Sequence, residues 1–187
     1  MLYLSTQLSN LPVLSLQLVG RIGTITEPII NPNNLHIDAF YCQSSGSKSN
    51  LVLLDIHIRE LSFKGIIIDN QQALSEPQDL VRLQPVLDIG FQLLGKQVVS
   101  GKKKMGKVAE YAFDNQSLFI QKIYVQPSIW QGINQHRLIY DRNSIVEVTD
   151  TQIVVSGPEE TVNQTQDVKV PNVQPGYSSA NTSLIKE

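Results

Sequence analysis

The chain has 187 residues, a formal net charge of −2 and a hydrophobic content of 41%, enough for one large or two small folded domains. Its single cysteine, Cys42, excludes an internal disulfide and a cysteine-based metal cage. No apolar run reaches the ~18 residues of a membrane-spanning helix, and the N-terminus lacks the basic start of a signal peptide, so we predict a cytoplasmic protein without membrane insertion.

One pattern occurs twice, at residues 18–42 and again at 102–125. Aligning Gly23 with Gly106 places Leu35 and Leu118 each twelve residues downstream. Apolar residues recur at every second position of each copy, which is typical of strands with one buried face. The pieces "INPNN" and "FDNQS" between them are typical of turns. Each copy therefore predicts two antiparallel strands joined by a turn.

Further β-rich segments follow each copy, "LVLLDIHI" and "GIIIDN" in the first half and "RLIYD", "SIVEVTD" and "TQIVVSG" in the second. Asp69-Asn70 and Asp150-Thr151 are interpreted as equivalent hairpin turns. About six short strands per half favour a small barrel or sandwich. We predict an all-β protein of two tandem six-stranded β-barrels, the first with its connector at residues 1–89 and the second at 90–157.

The connector "SEPQDLVRLQPVLDIGFQLLG" predicts a short helical turn, capped by Ser75 or Asp79 and ended by Pro85. Its apolar residues indicate that it packs against the barrels: Leu80, Val81, Leu83, Val86 and Leu87. Residues 158–187 are polar and lack periodicity, which predicts a disordered, flexible tail.

The two copies together, over residues 1–157, resemble the PRC-barrel family. In the second half the segment "LLGKQVVSGKKKMGKVAEYAFD" carries the resemblance through these matching residues: Gly95, Lys96, Val98, Gly106, Lys107, Val108 and Asp114. In the first half Gly23 matches, but Arg21 and Thr24 replace the expected lysines. The resemblance implies a small β-barrel that binds or scaffolds partners and has no shared catalytic residues.

The strongest charge cluster is a lysine-rich hairpin formed by Lys102, Lys103, Lys104 and Lys107. It has two interpretations: a patch for RNA phosphates or an acidic partner, or a solvated tip that keeps a β edge soluble. The lack of interleaved aromatic residues disfavours RNA. "GKKKMGK" is not a phosphate loop, because Val108 stands where a hydroxyl is needed. We therefore predict no cofactor.

Trp130 is the only tryptophan and lies in the predicted loop "QPSIWQGINQH". It is interpreted either as an anchor for a partner or as a plug at the end of its barrel. Tyr41 and Tyr124 occupy the same position in the two copies and are predicted to be core tyrosines with their hydroxyls at the rim.

The histidines do not predict a metal site, since three or four converging ligands are needed. His36 and Asp38 share one strand face, and Asp55, His57 and Arg59 share another, both predicted to face solvent. Their neighbours, such as Leu54, Ile56 and Ile58, are predicted to be core. A relay between His57 and Asp55 would lack a serine or cysteine nucleophile, and Cys42 is interpreted as an incidental, semi-buried thiol.

These observations predict a non-enzymatic cytoplasmic adaptor or scaffold with a protein partner of unknown identity. The predicted partner-binding residues lie in the second barrel: Lys102, Lys103, Lys104, Lys107 and Trp130. The alternative is an RNA- or ribosome-associated assembly factor that uses the same lysines. Neither hypothesis involves a small-molecule substrate.

Overall fold

The computed structural model describes residues 1–44, 50–127 and 137–156, and the backbone of residues 160–162. These residues are mostly in strands, which confirms the all-β prediction. The first eight strands are β1 (Leu2–Leu4), β2 (Pro12–Ser15), β3 (Gly20–Asn31), β4 (His36–Ser44), β5 (Asn50–Leu54), β6 (Ile58–Ser62), β7 (Gly65–Ile68) and β8 (Leu74–Ser75). After helix α1 (Gln84–Ile89) come β9 (Gln97–Ser100), β10 (Lys103–Asp114), β11 (Ile120–Gln126), β12 (Arg137–Asp141), β13 (Ile145–Val148), β14 (Gln152–Val155) and β15 (Glu160–Val162).

The strands form two sheets with the same order. One sheet runs β6-β7-β2-β3-β4-β5-β8, and the other runs β13-β14-β9-β10-β11-β12-β15, with β1 added beside β10. Even the parallel pair β2–β7 recurs as β9–β14. The repeat seen in the sequence is therefore a duplication of a whole sheet. Each copy has seven strands within the described residues, and closure into two six-stranded barrels is not confirmed.

The predicted equivalence of the turns at Asp69-Asn70 and Asp150-Thr151 is wrong. Asp69 comes after β7, whereas Asp150 lies in the turn between β13 and β14. The turn between β6 and β7, at Phe63-Lys64, is the equivalent of the turn at Asp150. The similar Asp-led dipeptides thus occupy different places in the two sheets.

Both long hairpins carry a β-bulge at the same position. In β4 the register moves from Ile37 to Ala39 across Asp38. In β11 it shifts in the same way across Gln121. A bulge adds one residue to one strand, so the alternation of faces reverses beyond it.

This reversal explains why the prediction of core tyrosines was wrong. Beyond the bulge, Phe40 and Cys42 face the main core and are fully buried. Tyr41 is half-buried and packs in a small separate cluster beneath the connector. Tyr124, its equivalent, is also half-buried. Strict period-two reasoning misassigns every residue after an unrecognised bulge.

The sheets join at the turns of their long hairpins, here called the junction. The amide of Ile37 donates to the carbonyl of Leu118 at 3.0 Å, and the amide of Ile120 donates to the carbonyl of Leu35 at 2.9 Å. Between them, His36 and Phe119 form an antiparallel bridge. One cluster of buried apolar residues continues from the first sheet to the second. The copies therefore share a core.

The segment before each copy crosses to the other copy. β1 pairs with the end of β10, and Ser5 then donates to Glu110 at 2.6 Å. In the reverse direction, Gln92 follows α1 and donates to Glu27 at 3.1 Å. The first crossing passes the predicted boundary between residues 89 and 90. Strand β15 lies inside the predicted tail, where it pairs with β12.

The connector packs as predicted, with two corrections. Leu83 is buried in a cluster with Ile29, and Val86 packs against it. Val81, however, is 79% exposed. Pro85 lies in the first turn of α1, where its missing amide costs nothing, so it begins the helix instead of ending it. Neither predicted capping residue caps α1, which starts after Leu83. Within the described residues, no helix is long and apolar enough to cross a membrane.

Candidate functional site

The β2–β3 and β9–β10 hairpins are equivalent, but their tips differ in chemistry. In the first copy Ser15 pairs with Gly20, which leaves a four-residue turn of Leu16-Gln17-Leu18-Val19. In the second copy Ser100 pairs with Lys103, which leaves Gly101-Lys102. We call the first turn the apolar tip and the second, with the lysines after it, the lysine tip. Each tip is at the end of β3 or β10 that lies away from the junction.

The apolar tip has a fixed backbone and exposed side chains. The amide of Leu16 donates to the carbonyl of Ile68 at 3.0 Å, and the amide of Leu18 donates to Ser15 Oγ at 3.2 Å. The side chains nevertheless face solvent, with Leu16 and Leu18 each 56% exposed and Val19 90% exposed. Val19 also has a φ of 48°, which is strained for a β-branched residue. Such strain concentrates at binding sites.

Ile56 is a further exposed apolar side chain of the first copy. It was predicted to be a core residue but is 76% exposed, because residues Asp55–His57 form a 3-10 turn in which strand alternation does not apply. Ile58 pairs with Ile68, the residue that also binds the amide of Leu16. The turn therefore leads into β6 beside the strand that holds the backbone of the tip, while Asp55 at its start approaches His36 in the junction. We define the apolar end as four exposed side chains: Leu16, Leu18, Val19 and Ile56.

A cleft of about 540 Å³ opens beside Ile56 at this end. On its wall Arg59 makes a bidentate ion pair with Asp69, with distances of 2.6 and 3.1 Å. That hydrogen-bonded carboxylate raises the pKa of Arg59. Both partners are more than half exposed, so the pair contributes little to stability. It supplies a polar rim beside an apolar surface, an arrangement found at protein interfaces.

The lysine tip brings together four of the predicted site residues. Lys102, Lys103, Lys104 and Lys107 are all exposed, at the turn and the start of β10. Their position between two strands, with no helix following, agrees with the rejection of a phosphate loop. Exposure alone does not choose between a binding patch and a solvated tip. Trp130 lies outside the described residues, so its predicted role stays a prediction.

A polar cluster lies in the junction. His36 Nδ1 is 2.6 Å from Asp38 Oδ1, which confirms that these residues share a face. They do not face open solvent: their side chains are 16% and 23% exposed, and the His36 ring packs edge-on against Phe119 at 4.6 Å. Asp55 approaches the other ring nitrogen of His36 at 3.9 Å. Burial against the second copy explains the difference from the prediction.

Arg142 completes the junction, and sequence reasoning missed it. Its guanidinium lies 4.8 Å over the ring of Phe119 and donates to the carbonyls of Leu35, Ile120 and Asn34. The equivalent residue of the first copy is Asp55, so the repeat gave no signal for an arginine here. Arg142 joins the copies through backbone carbonyls, which is a structural role.

Two buried groups of the described residues have shifted pKa values. Cys42 is fully buried and not semi-buried as predicted, and burial raises the pKa of its thiol, which lowers its reactivity. Burial, together with the charges of Glu110 and Glu27, raises the pKa of Tyr111. Across residues 1–44, 50–127 and 137–156, no three His, Cys, Asp or Glu side chains are placed to hold a metal ion.

No model of a known protein family matches the chain, and no curated protein matches it.

Proposed function

We propose that the protein is a non-enzymatic cytoplasmic adaptor or scaffold, built from two PRC-barrel-like copies, that holds a protein partner. The observation that carries this proposal is the apolar end, where Leu16, Leu18, Val19 and Ile56 are exposed on hydrogen-bonded backbone. Clustered exposed apolar side chains, such as the three of the apolar tip, mark interaction sites more often than single ones do. A side chain whose backbone is already ordered loses less entropy on binding.

Divergence between equivalent tips supports an adaptor. The scaffold is repeated strand for strand, yet one tip is apolar and the other basic. Loops on rigid scaffolds change function without changing the fold. Two chemically different ends on one shared core suit a protein that contacts more than one surface.

A second candidate is RNA or ribosome association through the lysine tip. It is favoured by the exposure of Lys102, Lys103, Lys104 and Lys107. These lysines belong to residues 90–157, which hold eight basic and five acidic residues. Binding through phosphate contacts would fall steeply with salt.

Affinity capture of the full chain from its own cells, at low and high salt and with and without nuclease, separates these proposals. We expect a protein partner that survives salt and nuclease and is lost with the double variant Leu18→Ser, Val19→Ser. Val81→Ser is the matched control, because Val81 is equally apolar and 79% exposed but lies on the connector.

Each other outcome has a definite reading. Capture that vanishes with nuclease and with Lys102→Glu, Lys103→Glu and Lys104→Glu together would replace the adaptor with the RNA hypothesis. A partner lost equally with Val81→Ser would show that the apolar end is not the site.

A further inference from the structure

Arg21 follows the apolar tip directly and is the only basic residue of β3. Ser15 and Gly20 close the tip, and Arg21 pairs with Leu14 at the next position of the hairpin. The equivalent residue on the second copy is Lys104, within the lysine tip. Both hairpins therefore have a cation at this place, although the turns beyond it differ in chemistry.

The guanidinium of Arg21 is held in place and accessible. Its Nε donates to the carbonyl of Gly23 at 3.3 Å, and Nη2 donates to Oγ1 of Thr24. Both bonds use the edge that carries Nε, so the edge formed by the two terminal nitrogens remains for a bidentate carboxylate. The residue is exposed to solvent. A side chain that is already ordered loses less entropy when a partner binds.

Arg21 has no carboxylate partner within the described residues, because both of its acceptors are neutral oxygens. Arg59 differs, since its charge is already paired with that of Asp69. Residues 1–89 hold eight acidic and five basic residues, so the first copy does not lack carboxylates. The charge of Arg21 is therefore available to another molecule.

The apolar tip and Arg21 lie close enough to share one interface. Thr24, which accepts from the guanidinium, follows Val19 by five residues, roughly 16 Å along an extended strand. An interface of standard size covers about 800 Å² on each partner, which is wider than this distance. Interfaces combine an apolar centre with a polar rim, and arginine is enriched among the residues that contribute most to binding.

We propose that the apolar tip docks into an apolar socket of a protein partner, and that an aspartate or glutamate at the rim of this socket pairs with Arg21. A guanidinium and a carboxylate match in two parallel hydrogen bonds, which would fix the orientation of the tip in the socket. A partner with a basic rim would be repelled. This inference rests on the proposed function, because it names the chemistry of the partner at the same site.

The test uses the full chain with Arg21→Lys and a carbodiimide, a reagent that joins an amine only to a carboxylate in direct contact with it. The treated variant is captured from its own cells, and the cross-linked peptides are mapped by mass spectrometry. We expect a cross-link from position 21 to an aspartate or glutamate of another protein, which disappears when Leu18→Ser and Val19→Ser are added. Arg82→Lys is the matched control, because Arg82 is also an exposed arginine but lies on the connector. It should give no cross-link to that protein.

Arg21→Glu provides a second measurement. It should lower the amount of the same protein that is captured by at least about tenfold, because a charge-assisted pair becomes a repulsion. Arg82→Glu should leave capture unchanged.

The outcomes separate this inference from the proposed function. If Leu18→Ser with Val19→Ser abolishes capture, but Arg21→Glu does not and position 21 gives no cross-link, the proposed function stands and this inference is overturned. Cross-links from position 21 only to carboxylates of the chain itself would overturn it too. Capture that does not depend on the apolar tip would overturn both.

Discussion

Leu35 and Leu118 meet across the junction as equivalent residues, each in left-handed backbone, with φ of 52° and 54°. The carbonyl of each accepts an amide from the other copy, at 2.9 and 3.0 Å. A two-fold dimer makes such reciprocal contacts, in which residue i of one subunit contacts j of the other and j contacts i. The chain is thus organised as a dimer of two copies within one polypeptide.

Cutting the chain in the connector should therefore leave two fragments that associate. Residues 1–81 and 82–187, co-expressed, should purify as an equimolar complex. β1 of the first fragment pairs with β10 of the second, and α1 of the second fragment packs against Ile29 of the first. Val81 is exposed, so the new chain end at this residue need not be buried. Size-exclusion chromatography and analysis of the fragment ratio check this. Two fragments that fold and elute separately as monomers would contradict the shared core.

Gly106 should be intolerant of any side chain. A Cβ there would lie 2.1 Å from the carbonyl oxygen of Gln126, and the backbone has a φ of 143°. Gly106→Ala should lower the free energy of unfolding by about 3 kcal/mol or more, from backbone strain and overpacking. Chemical denaturation monitored by circular dichroism measures the change.

The equivalent Gly23 provides a second measurement in case Gly106→Ala does not fold. Its Cβ would approach Cys42 Sγ at 2.8 Å and the Gln43 carbonyl at 2.9 Å, so a loss of about 1–3 kcal/mol is expected. Gly20→Ala is the control, with its nearest atom at 3.6 Å, and should change stability by no more than about 0.5 kcal/mol. Equal effects at Gly20 and Gly23 would refute the steric argument.

The repeated architecture could be predicted because short sequence patterns, namely the spacing of glycines, turns and alternating apolar residues, recur in both copies. Gly23 and Gly106 mark the same close approach of strands, and the turns at Leu35 and Leu118 fall at the same spacing from them. Period two was enough to predict strands, but the bulge at Asp38 depends on pairing between strands. The number of strands and the pairing of β1 with β10 are likewise non-local.

The candidate site was only partly visible in the sequence. A run of lysines at Lys102 is conspicuous, and its exposure follows from its charge. The apolar tip was not predicted, because Leu18 and Val19 have the composition of a strand. Only the pairing of Ser15 with Gly20 shows that they lie in the four-residue turn between β2 and β3. Arg142 had no signal either, since its partners are backbone carbonyls, two of them in the other copy.

Arg142 should be a strong contributor to stability, because it donates to carbonyls of both copies and covers Phe119. We expect Arg142→Ala to cost about 2–3 kcal/mol, the size of hydrogen bonds to a charged group. Arg142→Lys should restore little, since lysine lacks the planar fork. Thermal and urea unfolding measure both variants.

Arg59→Ala is the comparison for that experiment. Arg59 also makes a bidentate contact, but with an exposed partner, Asp69. Its loss should cost clearly less than the loss of Arg142, because solvent screens an exposed ion pair. If Arg59→Ala and Arg142→Ala destabilise the protein equally, the junction is not held by Arg142.

Acid should weaken the attachment of β1 through Asp114. The N-terminal ammonium lies 2.7 Å from Asp114 Oδ2 and, with the Ser117 amide next, lowers the pKa of this carboxyl far below its usual range. A carboxyl whose pKa is lower in the folded state stabilises the fold above its unfolded pKa of about 4 and loses that contribution as the pH falls. Stability should therefore decline from about pH 5 downward, more gently in Asp114→Asn. Urea midpoints measured between pH 2 and 7 give both profiles.

The size of this acid effect should depend on salt, because the ammonium is 77% exposed and the ion pair is screened by solvent. Asp150→Asn is the control, as Asp150 is an exposed carboxylate on the turn between β13 and β14. It should leave the pH profile of the wild type unchanged. If the profiles of Asp114→Asn and the wild type coincide, the ammonium pair does not hold β1 in solution. If Asp150→Asn flattens the profile as much, the acid response is a general charge effect and not a property of the β1 contact.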